Sequence, residues 1–573
     1  MGQMDFKILV GGEAGQGIQT TGAILARAFT RMGFHVFADQ DYESRIRGGH
    51  NFYRIRVRES QTLAISESLD LLIAFNKESV SLHLSELAPN GIAICDTIRD
   101  PDISQRYNVI FMAMSDIAMQ VTGSRLAANS VAIGAVAGLT GCDIEVFNNL
   151  IKEYFRQEDV AERNINAARA GQQFILEQKN NLPLNSFGKN IKSDRMLLNG
   201  NEGIAMGALA AGCKFISAYP MTPATSIMEY MAANASDFGA VVIQPEDEIA
   251  AIHMAIGASY AGVRSMTATS GGGFSLMTEG IGLAGMTETP LVVVLAQRPG
   301  PAIGLPTRTE QSDLLFAINA SHGEFPRVVL APSTAEDAFW LTTKAFNLAE
   351  KYQVPVILMT DHYLATSYFT VEKFDLSAVF INRGLPLNEN EMGKLSEYKR
   401  HLITGSGVSP RAFPMQSRAL VVTDSDEHNE EGHLIEDAET RVRMVDKRQK
   451  KMQGLHNDLA HPLIYGPREA RNTIIGWGSS FGPLYEATSV LRKQDVSINL
   501  LHFTEIWPFQ SRAIRKILST SEKIYIAENN ATGQFATLFA SRMGRKVDGN
   551  ILRYDGRPFT PNFIINKLSK EAL

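Results

Sequence analysis

Cysteine is scarce in this chain, with three residues, Cys95, Cys142 and Cys213, among 573. They lie far apart in apolar or Gly-rich surroundings and form no Cys-x-x-Cys pair. Neither a four-cysteine iron–sulfur cluster nor a structural zinc site can be assembled from them. No uninterrupted apolar run is long enough to span a bilayer, and no signal-peptide pattern opens the sequence. The cytoplasm is therefore the expected location, with no membrane partner. Charge of one sign is not in excess either. The formal net charge of -6 gives no support for general nucleic-acid binding. A composition of 45% hydrophobic and 20% charged residues is that of an ordinary soluble globular protein.

Its length predicts about three to four domains, because single cores seldom grow past roughly 250–300 residues. The first stretch alternates strand and helix. Phe6–Val10 reads as a buried strand, Ile18–Arg31 as a helix, and the apolar runs at 69–75, 91–95 and 108–114 as parallel strands. Asn180–Gly188 has linker chemistry. A second α/β unit starts near Met196, with strands expected at 240–243, 264–268, 291–295 and Val354–Thr360. Within it, Ser333-Thr-Ala-Glu336 reads as a capping box. From about 370 to 465 charge crowds together and periodicity weakens, as expected of a functional or wrapping segment. A metal site at Asp424, Asp426, His428 and His433 is conceivable there, but a solvated acidic loop is the better reading. A third, smaller α/β unit follows, from Thr473 to the turn Glu528–Gln534. The expected boundaries are 1–185, 193–370, 371–465 and 466–573.

Several local patterns carry chemistry. Gln244-Pro-Glu-Asp-Glu248 opens a helix dense in Ala and Gly, which lets backbone approach a ligand or neighbour closely. Helix-start preference alone also explains acidic residues at that mouth. Gly11-Gly-Glu-Ala-Gly-Gln-Gly17 joins a strand to a helix. It can cradle a phosphate with backbone N–H groups, or serve simply as a tight turn, and it departs from GxGxxG spacing. Arg45-Ile-Arg47 precedes Arg54, Arg56 and Arg58, which strand periodicity places on one face, either a solvated basic face or a polyanion site. Thr269-Ser270-Gly271-Gly272-Gly273 follows a strand and lets backbone pass a flat ligand or a subunit interface. Arg298 and Arg308 are suited to a carboxylate fork or to a surface ion pair.

Together these segments, with Tyr219-Pro-Met-Thr-Pro, Gly304–Gln311 and Glu528–Gln534, resemble the 2-oxoacid:ferredoxin oxidoreductase family, in particular an alpha subunit with a gamma domain fused at its N-terminus. The resemblance covers essentially the whole chain. It implies a multidomain α/β fold: a gamma-type domain, then a thiamine-diphosphate pyrimidine-binding-type domain and a transketolase-C-terminal-like domain. By resemblance, Glu248 shares a proton with ring N1′ of thiamine diphosphate, and Thr269, Ser270, Gly271 and Gly272 line the cofactor. Tyr219, Pro220 and Thr222 bind substrate, Arg298 holds its 1-carboxylate, and Arg308 takes the distal carboxylate of 2-oxoglutarate. Gly12, Gly15, Gly17, Arg45 and Arg47 would bind coenzyme A. The reaction implied is oxidative decarboxylation of 2-oxoglutarate to succinyl-CoA, with electrons passing to ferredoxin. The GDG…N motif for Mg²⁺ and diphosphate is absent from the sequence. A beta subunit is therefore expected to carry that site and a 4Fe–4S cluster in an (alpha-beta)2 heterotetramer. Pyruvate or branched 2-oxoacids, a non-catalytic assembly subunit and a transketolase-like enzyme without redox chemistry are the competing readings.

Overall fold

The computed structural model describes residues 4–43, 48–96, 105–178, 187, 193–416 and 420–570. The chain divides into two compact units, one of residues 1–198 with 367–374, the other of 199–366 with 375–573.

In the first unit an eight-stranded sheet has the order β6-β5-β4-β1-β3-β2-β14-β7. Its strands are β1 (Asp5–Ala14), β2 (His35–Asp41), β3 (Gly48–Arg58), β4 (Leu69–Ala74), β5 (Leu87–Cys95), β6 (Asn108–Phe111), β7 (Met196–Asn199) and β14 (Tyr368–Val371). The runs expected as parallel strands do pair in parallel, β1 with β4, β4 with β5 and β5 with β6. The other half is antiparallel, β1 with β3, β3 with β2 and β2 with β14. On β3, Ile55 and Val57 are buried and the three arginines share the other face. That face is not an anion site. Arg54 meets Glu86 at 2.9 Å, Arg56 grips both Asp5 oxygens at 2.8 Å, and Arg58 lies 3.9 Å from Asp5. Burial alone would raise the Asp5 carboxyl, but Arg56 holds it below its usual range. The Asn180–Gly188 linker lies outside the described residues, apart from Phe187, whose ring packs on Phe6, Phe29 and Phe34.

The second unit holds a seven-stranded sheet in the order β18-β12-β13-β11-β10-β8-β9. These are β8 (Phe215–Ser217), β9 (Val241–Ile243), β10 (Ser265–Thr269), β11 (Leu291–Gln297), β12 (Val328–Leu330), β13 (Pro355–Asp361) and β18 (Glu505–Trp507). All neighbours are parallel except β12 and β18. β11 and β13 are buried along their whole length, as continuous apolar strands between helical layers should be. A five-stranded sheet follows in the order β15-β17-β16-β19-β20. Its members are β15 (Leu463–Tyr465), β16 (Asn472–Trp477), β17 (Ile498–Phe503), β19 (Lys523–Glu528) and β20 (Gly549–Leu552). One hydrophobic core joins the two sheets, packing Val293 and Leu295 with Ile475, Trp477 and Phe503. The helix cap at Ser333–Glu336 falls one residue later than expected. Thr334 is the N-cap, accepting from the Asp337 N–H, and Ser333 donates to the Asp337 carboxylate.

The charged stretch before β15 is folded, not a solvated loop. Its helix Ala438–Asp458 buries Met444, Lys447, Arg448, Lys451 and Leu455. Buried Glu288 receives Lys447 at 2.5 Å, His401 at 3.1 Å and also Lys451. Burial raises its carboxyl, yet the two ammonium groups hold it well below the usual range. Arg448 donates to both Glu427 oxygens, at 2.9 and 2.7 Å. His428 points inward, its ring 4.0 Å from that of His401, so the Asp424–His433 stretch offers no shared metal site. Glu288, His401 and His428 do bring possible ligand atoms within 4.8 Å of one another. The lysines already neutralise that carboxylate, and the cluster reads as an ion-pair clasp. Among the described residues no helix is long and apolar enough to cross a membrane.

Glu288→Gln leaves two buried ammonium groups without their counter-charge. Chemical denaturation should show a loss of about 3–5 kcal/mol, the usual cost of breaking a buried pair from one side.

Candidate active site

Five neighbouring strands, β9, β8, β10, β11 and β13, end along one edge of the seven-stranded sheet. Ligands of open α/β sheets bind at such carboxyl ends. From β9 the chain turns through Gln244-Pro245-Glu246-Asp247 into the helix Glu248–Tyr260. Asp247 takes the capping role, accepting from the Ala250 N–H at 2.8 Å. Glu248 is thereby released from capping. It is 4% exposed, and its Oε1 has no hydrogen-bond partner. A first-turn acid placed only by the helix dipole would face water, and this one does not.

From β10 the chain passes Thr269 and Ser270 into the helix Gly271–Met286. A Cβ on Gly273 would stand 2.1 Å from Thr269 Oγ1 and 2.7 Å from Glu248 Oε1. The bare first turn of this helix therefore receives the Glu248 carboxylate. Ser270 is buried with its Oγ unpartnered, and Gly272 is open, its nearest non-neighbour atom 3.8 Å away. From β8 comes the Tyr219–Pro223 turn, where Met221 Sδ lies 3.9 Å from Thr269 Oγ1. From β11 comes Arg298, whose Nη1 donates to the Thr222 carbonyl at 2.7 Å. It is 8% exposed, and burial lowers its pKa.

The structure thus links Glu248, Thr269, Ser270, Thr222 and Arg298 through successive contacts. Tyr219 and Pro220 stand at the exposed lip of the turn. Arg308 belongs to a separate loop, where its Nη1 bonds the Thr307 carbonyl at 3.1 Å and Gly556 packs on its stem. It reaches the same sheet edge through His362, which follows β13. Burial, then the Arg308 charge, push that imidazole down to about 3. Since Gln297 pairs with Asp361, Arg298 and His362 leave adjacent strand ends.

One residue of the edge carries no sequence signal. Asp313 Oδ2, buried and unpartnered, would lie 2.7 Å from a Cβ on Gly271. Burial, then Glu310, raise its carboxyl to about 6. The motifs Gly304–Gln311 and Glu528–Gln534 bind each other. The Asn529 N–H donates to Gln311 Oε1 at 3.1 Å, Asn530 Nδ2 to the Gln311 carbonyl at 3.0 Å, and Gln311 Nε2 to the Trp477 carbonyl at 3.0 Å. They are structural fastenings between the sheets.

In the first unit, Gly15 and Gly17 adopt positive φ of 98° and 75° at the start of the helix Ile18–Arg31. A Cβ on Gly12 would meet Gln16 Oε1 at 2.5 Å, so that glycine is required by the turn itself, while Gly15 faces open space. Arg45 and Arg47 lie outside the described residues.

Known proteins agree with this geometry. Residues 206–447 match the family model described as pyruvate flavodoxin/ferredoxin oxidoreductase, thiamine diP-bdg, and residues 7–174 match pyruvate ferredoxin/flavodoxin oxidoreductase. The 2-oxoacid:ferredoxin oxidoreductase subunit alpha of Sulfolobus sp is 34% identical over 610 residues, covering 96% of this chain and 94% of that one. The chain belongs to the 2-oxoacid:ferredoxin oxidoreductase family. The 2-oxoglutarate oxidoreductase subunit KorA of Mycobacterium tuberculosis is 28% identical, with 93% and 86% covered. A solved structure, 2-oxoglutarate:ferredoxin oxidoreductase from Magnetococcus marinus with 2-oxoglutarate, coenzyme A and succinyl-CoA bound, superimposes with a TM-score of 0.92 at 31% identity. That match covers 99% of both chains. The residues present fit a thiamine-diphosphate-binding role, because an orphaned carboxylate oxygen, an orphaned hydroxyl and a Cβ-free helix turn meet at one edge.

Gly273→Ala should displace Glu248 while leaving the fold standing. Activity of the assembled enzyme is expected to fall by about 100-fold, as for an ångström-scale misplacement of a catalytic group. Circular dichroism should meanwhile remain that of the parent.

Proposed function

We propose that this chain is the alpha subunit of a 2-oxoglutarate:ferredoxin oxidoreductase, forming succinyl-CoA and CO2 and passing electrons to ferredoxin. The observation that carries the reading is Glu248, buried beside Gly273 with an unpartnered oxygen and joined through Thr269 and Met221 to the Thr222–Arg298 pair. Thiamine diphosphate, when bound, supplies the electron sink for decarboxylation. Glu248 would hold a proton at the pyrimidine N1′, with Thr269, Ser270, Gly271 and Gly272 shaping the ring's bed. Thr222, with Tyr219 and Pro220 at the lip, would orient the 2-oxoacid. The Arg298 guanidinium, anchored by one nitrogen to the Thr222 carbonyl, would present its remaining donors to the 1-carboxylate. Arg308 is assigned the distal carboxylate, which makes 2-oxoglutarate the favoured substrate. The Magnetococcus marinus relative, with its 2-oxoglutarate and succinyl-CoA, supports that choice.

The second half of the site is assigned to a partner. Around Glu248 the surface is apolar and small: Ile249 is 47% exposed, Leu276 is 50% exposed, and Gly257 has no atom within 4 Å of a Cβ position. Such a face suits a subunit interface. The three cysteines are buried in three different cores, which supports placing the cluster elsewhere. We assign the Mg²⁺–diphosphate site and the 4Fe–4S cluster to a beta subunit in an (alpha-beta)2 assembly in the cytoplasm. Coenzyme A is assigned to the first unit at Gly12, Gly15, Gly17, Arg45 and Arg47.

Co-expression with the partner chain should yield 2-oxoglutarate-dependent ferredoxin reduction that neither chain shows alone. In that complex Glu248→Gln should abolish exchange of the thiazolium C2 proton while cofactor still binds, and near-parental exchange would remove Glu248 from the reaction.

Arg308→Ala should raise KM for 2-oxoglutarate by 10-fold or more and leave pyruvate turnover unchanged. An unaltered preference between the two acids would end the distal-carboxylate assignment and favour a pyruvate or branched-chain enzyme.

A further inference from the structure

A cavity of about 1450 Å³ opens in the second unit, lined by the end of the helix Ala438–Asp458, by β15, by Trp507 of β18 and by the helix Ser511–Ile517. It shares no residue with the Glu248 site. β18 and β9 are opposite ends of the seven-stranded sheet, six strand spacings apart, which at about 4.8 Å each is roughly 29 Å.

Three features of this cavity point the same way. First, both lining strands are terminal: β15 pairs only with β17 and β18 only with β12, so one side of each backbone is left without a strand. Second, the floor is apolar, made by Leu459, Pro462, Ile464, Trp507, Phe509 and Ile517. Third, Arg468, Arg512, Lys516 and Arg542 stand exposed around it against one carboxylate, Glu469. None of the four is in an ion pair among the described residues, and Arg542 rests on the Trp507 ring at 4.5 Å. The volume exceeds the roughly 300–1,000 Å³ of small-molecule sites.

We propose that this cavity docks an extended acidic segment of a protein partner. Unpaired sheet edges supply main-chain hydrogen bonds to an added strand, and pockets for alternate side chains supply selectivity. An extended chain alternates its side chains with a period of two, so apolar residues fall on the Trp507–Phe509 floor while carboxylates reach the rim. Arginine and tryptophan are the residues that most often anchor such contacts.

The test uses the assembled enzyme and a fluorescein-labelled acetyl-(Glu-Leu)4-amide peptide, followed by anisotropy. Micromolar binding is expected, weakened at least 10-fold by 0.5 M salt, by the double change Arg512→Glu with Lys516→Glu, and by N-methylation of alternate peptide bonds. The double variant should retain parental 2-oxoacid turnover, because neither side chain belongs to the Glu248 site. Equal affinity for the double variant, for the N-methylated peptide or for acetyl-(Lys-Leu)4-amide would overturn the proposal. So would stoichiometric displacement by ATP, which would make the cavity a nucleotide site.

Discussion

The contact on which the candidate site turns is that of the Glu248 carboxylate with the side-chain-free turn at Gly273. No L side chain can occupy that position without entering Thr269 or Glu248. The contact also needs two strands held at one register, because Glu248 follows β9 and Gly273 follows β10, with β8 between them. Parallel pairing brings those carboxyl ends to a common edge, and the buried apolar strands β11 and β13 give the edge a rigid backing. The sheet is thus the means by which segments distant in sequence, at 222, 248, 269 and 298, meet.

Much of this was legible from residue order. Strand and helix alternation in the second unit marked the carboxyl-end turns, and Glu248, Thr222, Thr269, Ser270 and Arg298 all sit on one of them. Apolar periodicity failed where charge carries the buried face. The helix Ala438–Asp458 turns Met444, Lys447, Arg448, Lys451 and Leu455 inward at spacings of 3, 1, 3 and 4. Three of those five are cations, so no hydrophobic rule registers the stripe. Their counter-charges are Glu288 and Glu427, far away in sequence. The arginines of β3 misled for the same reason. Their alternation was correct, but their acidic partners, Asp5 and Glu86, come from other elements.

Asp313 was hidden because its position depends on where a loop crosses the sheet edge, and spacing along the chain does not encode that. Its N–H donates to Gln297 Oε1 at 3.1 Å, at the last residue of β11, which draws the loop across the mouth of the Gly271 helix. The loop is held from the far side by Gln311, clasped by Asn529 and Asn530. The two polar motifs therefore act on the site indirectly, fixing a loop that delivers a carboxyl.

A folded chain ordinarily pairs its buried polar atoms, since each orphan costs roughly 1–3 kcal/mol. Here Glu248 Oε1, Ser270 Oγ and Asp313 Oδ2 are all unpartnered, and all surround the first turn of one helix. The Glu288 cluster shows that the same fold can surround a buried carboxylate with cations when its role is structural. The contrast between the two glutamates separates their functions. Glu288 is neutralised within the chain and fastens it, whereas Glu248 keeps an oxygen available for a group the chain must recruit.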